Sequence, residues 1–383
     1  MALHFSKQEF EKRKLATLKS MKEHNLDALL MFRQESMFWL TGYDTFGYVF
    51  FQTLILDNKG DIILLTRAPD LRQAQNTSNI EDIRIWVDKD QSNPTDNLKI
   101  ILNELNLKDK KIGVEYEAYG MTGRNALRLN KSLEGYCEVE DQSELITKHR
   151  VVKSTEEIVY VKKAAELADQ ALDEAWKYAK AGASEAKILA EMQRVVLEGG
   201  GDYPANEYII GSGHNALLCR YQSEKRILSD TDQLTIEWAG TYKHYHSAMF
   251  RTIPIGKADP KHIKMHESCL EALTNCAKTL IPGKTAGDVF DIHAKTFDDL
   301  GYNKSRMNAC GYSLGTTFSP NWMDWPMLYK GNPYVITPGN VFFMHMILMD
   351  SDSKLAMNLG ETYLVTENGN ERLGKQKLDL VVL

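Results

Sequence analysis

The sequence predicts a mixed α/β (α+β) protein of two domains, and three observations carry that expectation. The chain has 383 residues, more than one core of ordinary size organises. Short β-rich runs alternate with helical periods up to about residue 148. Beyond it the order becomes two helices, strands, two helices, strands. The boundaries that follow are 1–150 and 151–383.

Residues 7–24 carry Phe10, Leu15, Leu18 and Met21 at helical spacing, the mark of an amphipathic helix. The runs DALLMF, YVFFQTLILD, DIILLT and IRIWVD read as strands, with a turn at Asp57-Asn58-Lys59-Gly60. Helices near 94–106 and 121–133 flank the strand KIGVEY. The second domain opens on Ser154-x-x-Glu157, a capping box that starts a helix, and Gly182 is expected to end it. A helix at 184–198 stops at Gly199-Gly200-Gly201. Strands are expected near 207–211 and 233–255, helices at 260–280 and 285–300, then strand and loop. The repeated order suggests a duplicated α-α-β-β unit.

Bulk composition excludes several classes. With 43% hydrophobic and 26% charged residues the chain has a soluble composition. A net charge of −6, with no long run of one sign, argues against a nucleic-acid partner. No apolar run approaches the roughly 20 residues that cross a bilayer. The start MALHFSKQEFEKRKL lacks the apolar core of a signal peptide. Five scattered cysteines without a Cys-x-x-Cys pair fit reduced thiols in a cytoplasm. Cys269 and Cys276 are expected to be packing residues.

This layout comes with FWLTGYDT in the first domain and with YIIGSGHNALLCRY (208–221), IEWAGTYKHYHSAMFRT (236–252), ACGYSLG (309–315), TPGNVFFMHM (337–346) and LGETYLVTENGNERL (359–373) in the second. Together they resemble the creatinase and aminopeptidase P family over nearly the whole chain. The resemblance implies a small creatinase-like N-terminal α/β domain followed by a C-terminal pita-bread domain, in a homodimer. Metallopeptidases of that family hold two divalent cations with two Asp, one His and two Glu, a hard anionic set. At the matching positions stand Glu237, Ala248 (in what would be SDxTRT), about Ser319, His345, and Gly360 with Glu361 beside it. One carboxylate and one imidazole are too few for a metal pair, so no metal and no other cofactor is expected. Arg220 takes the place of a catalytic His; it does not shuttle protons at neutral pH but grips carboxylates. Tyr312 and Ser313 stand at the His-Gly of the usual GHG.

A narrower set, NWMDWPM (321–327), FFMHMILMDSDS (342–353) and GSGHNALLCRY, resembles the ectoine hydrolases, a metal-free branch of that superfamily. That resemblance implies opening of the cyclic amidine of ectoine, or of 5-hydroxyectoine, to N-acetyl-L-2,4-diaminobutyrate. It also implies a deacetylase as pathway partner, and a covalent role for Glu237. An amidinium is already an activated electrophile. A carboxylate can pair with its N–H groups, attack its carbon or activate water, so nucleophile and general base both stay open for Glu237.

Glu237 is the first expectation for catalysis, with a pair to Arg251 or Lys243 as its plain structural alternative. His345 is the expected proton donor to the leaving nitrogen, or else a satisfied core histidine. His214 follows the loop Gly211-Ser212-Gly213 and is a weaker pocket candidate, as are His244 and His246, which would face solvent or an interface. Arg220 is read as a carboxylate clamp or a buried ion pair. Trp322, Asp324 and Trp325 lie between Pro320 and Pro326. They offer an aromatic wall for a cation and a polar anchor, or else a loop plug or dimer contact. Tyr312 joins the binding set. One of Phe38, Trp39 and Tyr43 is expected to reach substrate across a dimer; the alternative is the core of the first domain. The rival functions are a creatinase-like hydrolase of a guanidino compound, against which Arg220 counts, and an inactive pita-bread binding module. Such a module has no reason to keep Glu237 and His345.

Overall fold

The computed structural model describes residues 3–383; Met1 and Ala2, part of the stretch read for a leader, lie outside them. It divides into two compact units, the first ending at Arg150 and the second beginning at Val151.

In the first unit, α1 (Lys7–Glu23), β1 (Ala28–Met31), α2 (Gln34–Thr41), β2 (Thr53–Asp57), β3 (Ile62–Arg67), α3 (Leu71–Thr77), β4 (Asp82–Trp86), α4 (Pro94–Glu104), β5 (Lys111–Val114), α5 (Gly123–Leu133), β6 (Glu138–Asp141) and α6 (Leu145–Arg150) follow in order. The strands form one sheet, β4-β3-β2-β1-β5-β6. Alternate residues of a strand face opposite ways, and β1 serves two cores. Ala28 and Leu30 pack with the side chains of α4 and α5. Leu29 and Met31 pack with Met21, Met37 and Leu40 from α1 and α2. Helix α2 has no amphipathic stripe to read, because all eight of its residues are buried.

The second unit continues with α7 (Thr155–Tyr178), α8 (Glu185–Glu198), β7 (Ile209–Ser212), β8 (Asp232–Tyr242), β9 (Tyr245–Ile255), α9 (Pro260–Thr279), α10 (Ala286–Asp299), β10 (Ala309–Ser313), β11 (Asp324–Tyr329), β12 (Val341–Asp350), β13 (Leu355–Thr366) and β14 (Gly369–Arg372). The sheet order is β11-β10-β12-β13-β9-β8-β7, with β14 beside β13. The capping box of α7 forms: Ser154 accepts from the Glu157 N–H, and Glu157 accepts from the Ser154 N–H at 2.9 Å. The helix stops at Tyr178, before Gly182, whose positive φ falls in the following loop. Residues 233–255 fold into two strands, turned over by Lys243 and His244, both at positive φ.

Helices back one face of this sheet. Trp238 donates its indole N–H to the Ala168 carbonyl of α7 at 3.0 Å. A Cβ at Gly240 would lie 2.0 Å from the Ala164 carbonyl oxygen, so only glycine lets α7 lie this close to β8. Met344, Met346 and Leu348 of β12 pack with α9 and α10. The alternate residues, Glu237 on β8 and Phe343, His345 and Ile347 on β12, therefore point to the other face.

Candidate active site

Strand register brings together three of the positions that the resemblance matches to metal ligands, 237, 345 and 360. One row runs across the sheet from Ile209 to Glu237, Phe250, Gly360 and His345, each directly opposite the next. Paired residues share a face, so Glu237 and His345 look into the same space. Ala248, two residues from Phe250 on β9, shares that face. The space is a cavity of about 510 Å3, whose lining includes Glu237, Arg220, Tyr312, Trp322 and His345.

A hydrogen-bonded chain holds the carboxylate. The Trp322 indole N–H donates to the Tyr312 hydroxyl at 2.9 Å. That hydroxyl donates to Glu237 Oε1 at 3.2 Å, and the Trp322 backbone N–H is held by Asn206 Oδ1 at 3.1 Å. Burial, reinforced by the Glu237 charge, pushes the phenol of Tyr312 well above its ordinary value and keeps it a donor. Burial also raises Glu237 to about 7, opposed by the Tyr312 bond and by the Arg220 charge. Glu237 can therefore both take and return a proton near neutrality. His345 stacks obliquely on Tyr312 and Phe343, with ring centres 5.6 and 5.5 Å away. Burial lowers it to about 4, so it is a neutral imidazole at pH 7. A neutral ring keeps one N–H and one acceptor nitrogen, so it can hydrogen-bond a leaving nitrogen but is not the imidazolium that a strong proton donor would be.

The other expected residues divide. Arg220 lines the cavity with an exposed guanidinium that donates to the Cys219 carbonyl at 2.7 Å, so it forms no buried ion pair. His214 is exposed and outside the lining, turned out by the short 3-10 segment after Gly213. Asp324 accepts from the Trp325 N–H and lies beside Lys153 near Gly315; Trp325 meets Tyr334 edge-on at 5.1 Å. Neither lines the cavity, although Met323 just before them and Met327 just after them do. Phe38, Trp39 and Tyr43 are buried in the first unit's core. Phe38 packs on Phe5, and Tyr43 donates to Gln52 at 3.2 Å. The anchor expected among these three is thus core, and the exposed aromatic of that stretch is Phe46. His246 is also structural: fully buried, it accepts from the Ala205 N–H at 2.9 Å. His244 stacks on Phe318 at 4.2 Å.

The donor set does not fit a metal pair. Ser319 is exposed, while Tyr312 is the residue that touches Glu237. Glu361 points to the opposite face, where it pairs with Arg251 and, at 3.6 Å, with Arg372. This also removes Arg251 as a partner for Glu237. A Cβ at Gly360 would come within 2.7 Å of the Phe343 ring and 2.8 Å of the Phe250 Cβ. The Phe343 ring and the Phe250 Cβ thus fill the space a side chain at 360 would need. Among the described residues no cluster of three or more His, Cys, Asp or Glu is placed to hold a metal ion.

Sequence reasoning missed Phe250, although it stands at the Thr of SDxTRT, next to the departure at Ala248. It also missed Met307, Met323, Met327 and Ile347, which line the cavity; Met323 and Met327 lie in NWMDWPM and Ile347 in FFMHMILMDSDS, where the tryptophans and His345 drew the reading. A cleft of about 760 Å3 in the first unit is lined by Ser20, Tyr116, Glu144 and Lys148 among others. There Lys148 and Glu144 pair at 2.7 Å, and no comparable chain of buried donors aims into it.

Comparison with known proteins agrees with this architecture. The model of metallopeptidase family M24 matches residues 160–367, and that of the creatinase/prolidase N-terminal domain matches 13–152. The ectoine hydrolase of Halomonas elongata is 25% identical, with 97% of each chain covered. An Xaa-Pro dipeptidase of Pyrococcus furiosus is 28% identical, over 61% of this chain and 65% of its own. The recombinant prolidase of Thermococcus sibiricus, 20% identical, superposes with a TM-score of 0.88 over 98% of this chain and 99% of its own. No described helix is long and apolar enough to cross a membrane. With its fold, its sheet row and more than half its length matched, the chain belongs to metallopeptidase family M24, with a creatinase/prolidase N-terminal domain ahead of the family's own.

Proposed function

We propose that this protein hydrolyses a carbon–nitrogen bond of a cyclic amidine carboxylate, of which ectoine and 5-hydroxyectoine are the simplest, without a metal ion. The observation that carries the reading is a half-buried carboxylate, Glu237, tuned to about 7 in a cavity it shares with Tyr312, Trp322 and a neutral His345, while the cavity's other carboxylate, Glu207, is exposed. The full-length similarity to an ectoine hydrolase supports it. A protonated amidine next to Glu237 favours the carboxylate form. Arg220 at the cavity wall offers two parallel N–H donors to the substrate carboxylate.

In this reading Glu237 acts as general base. It takes one proton from water as the water oxygen bonds to the amidine carbon. It then returns that proton to a ring nitrogen as the carbon–nitrogen bond breaks, takes up the hydroxyl proton as the carbonyl forms, and passes it to the departing amine, which leaves as an ammonium. The products are an amide and a free amine, which for ectoine is N-acetyl-L-2,4-diaminobutyrate; a deacetylase would consume it. Neutral His345 accepts an amidinium N–H and orients the ring. Five free cysteines suit a cytoplasmic enzyme, and a homodimer is the expected assembly.

The test is incubation with ectoine, with and without a strong chelator, followed by proton NMR of the ring signals, beside Glu237→Ala. Ring opening that survives the chelator and disappears in the variant is the expected result. Activity lost to the chelator would overturn the metal-free mechanism. No reaction by folded protein on either amidine would overturn the substrate assignment.

A further inference from the structure

Two loops contribute to the cavity wall. One, before β7, brings Asn206 and Glu207; the other, between β10 and β11, brings Pro320, Asn321, Trp322 and Met323. Along β9 the face that carries Phe250 and Ala248 continues to His246, opposite Thr241 near the hairpin turn. His246 is fully buried and outside the lining. Its ring ties the two loops together. Nε2 accepts the Ala205 N–H at 2.9 Å, and Nδ1 lies 3.2 Å from the Thr317 hydroxyl. A backbone N–H can only donate, so Nε2 carries no proton, and the one proton of the neutral ring sits on Nδ1. Burial, with His244 beside it, lowers the ring to about 3, so it stays neutral at pH 7.

The tie leads on to Glu237. Ala205 precedes Asn206, which accepts the Trp322 N–H at 3.1 Å; the Trp322 indole donates to Tyr312 at 2.9 Å, and Tyr312 donates to Glu237 at 3.2 Å. The titratable and charged groups that share the cavity with Glu237 are Glu207, Cys219, Arg220, Tyr221, Tyr312 and His345. Among the described residues Tyr312 is the one that hydrogen-bonds the carboxylate, so the chain reaches Glu237 through that phenol. We infer that His246 is a positioning residue for the reaction: as its Nδ1–H tautomer it fixes the Ala205–Asn206 loop, and through Trp322 and Tyr312 it holds the hydrogen bond to Glu237, without touching substrate. The inference rests on the proposed role of Glu237 and adds the group that keeps its donor in place. Without the ring's acceptor the Ala205 N–H, on a buried residue, loses its partner. Asn206 then drifts, and the bond from Tyr312 to the carboxylate slackens.

The experiment titrates the Glu237 carboxylate by carbon NMR, assigned by its loss in Glu237→Gln, beside kcat/KM for ectoine. Gln at 246 places an acceptor where Nε2 stands, whereas Asn reaches only the Nδ1 position. His246→Asn is expected to move the Glu237 midpoint up by about half a pH unit and to lower kcat/KM at pH 7 about twofold. His246→Gln should stay near wild type. In a Tyr312→Phe background His246→Asn should shift the midpoint no further, because the route is already cut. Asn206→Ala cuts the same chain without touching the buried ring, so it carries the test where a change at 246 fails to fold; the same upward shift is expected. Nitrogen NMR of the wild-type imidazole should show the proton on Nδ1. An unmoved midpoint in folded His246→Asn or in Asn206→Ala, equal shifts in the Asn and Gln variants, or a proton on Nε2 each overturns the inference, and continued ectoine turnover then leaves the reaction standing. A midpoint that shifts as expected in protein that turns over no amidine overturns the proposed reaction and keeps the positioning role.

Discussion

Removing the Tyr312 hydroxyl should raise the pKa of Glu237, because the bond from that phenol stabilises the carboxylate against the burial that favours its protonated form. Tyr312→Phe also leaves the Trp322 indole N–H without its acceptor. The expected outcome is a loss of about tenfold in kcat/KM at pH 7, shrinking above pH 8 as the acid limb moves upward. A pH profile of kcat/KM checks it. An equal loss at every pH would mean that the phenol only fills space. The same scale explains why Arg251 and Glu361 are silent in the chemistry. They pair behind the sheet, with Arg251 also donating to the Phe250 and Gly360 carbonyls at 2.9 Å, although Arg251 Nε and Glu361 Oε2 are buried without a hydrogen-bond partner.

At the scale of elements, β9 and β13 meet where a second carboxylate would have to stand, and the row from Glu237 to His345 is bridged by Phe250 and Gly360. Packing there leaves no room at 360, where a Cβ would meet the Phe343 ring at 2.7 Å and the Phe250 Cβ at 2.8 Å. Gly360→Glu should cost about 3 kcal/mol or more by overpacking against them. Combined with Phe343→Ala, which removes the ring it meets, it should cost less than the sum of the two single changes by about 1 kcal/mol or more. Denaturant unfolding of both singles and the double checks the coupling. Strict additivity would mean the two positions are independent.

At the scale of the whole molecule, each unit buries a carboxyl that its surroundings push upward. Burial raises Glu115 to about 7 in the first unit against hydrogen bonds from Ser36, Phe32 and Arg33, and raises Glu237 to about 7 in the second. Both folded values lie above the ordinary 4.5, so the folded state binds the extra protons. Their contribution is complete below about pH 4.5 and is lost as pH rises through 7. Burial of His246, His293 and His345 lowers their pKa values and works the other way, adding stability as pH rises through the ordinary histidine value, so the carboxyl contribution is read from a variant against wild type. Glu237→Gln should be more stable than wild type at pH 8, by about 1–2 kcal/mol once cavity water is allowed for, and close to it at pH 5. Calorimetry of wild type and variant at the two pH values decides it; a difference of the same size at pH 5 and pH 8 would contradict the raised value of Glu237.

The periodicities and the capping box at Ser154 were enough to read the two-domain order and most helices. The same residues announced what was absent: Ala248 and Gly360 cannot ligate whatever surrounds them. Helices α2, α3 and α6 escaped because burial on all sides or shortness leaves no amphipathic period. Tertiary structure alone decided the rest. Phe38, Tyr43, Asp324, Trp325 and His214 are the kinds of residue a pocket uses, and the fold turns them into core, strand or surface. Glu361 is one residue from a ligand position, yet the pleat sends it to the other side of the sheet. Side-chain type is local information, whereas the face a residue presents depends on strand register. Register is set by pairings between β8, β9, β13 and β12, which lie more than a hundred residues apart at their extremes and which no local pattern encodes.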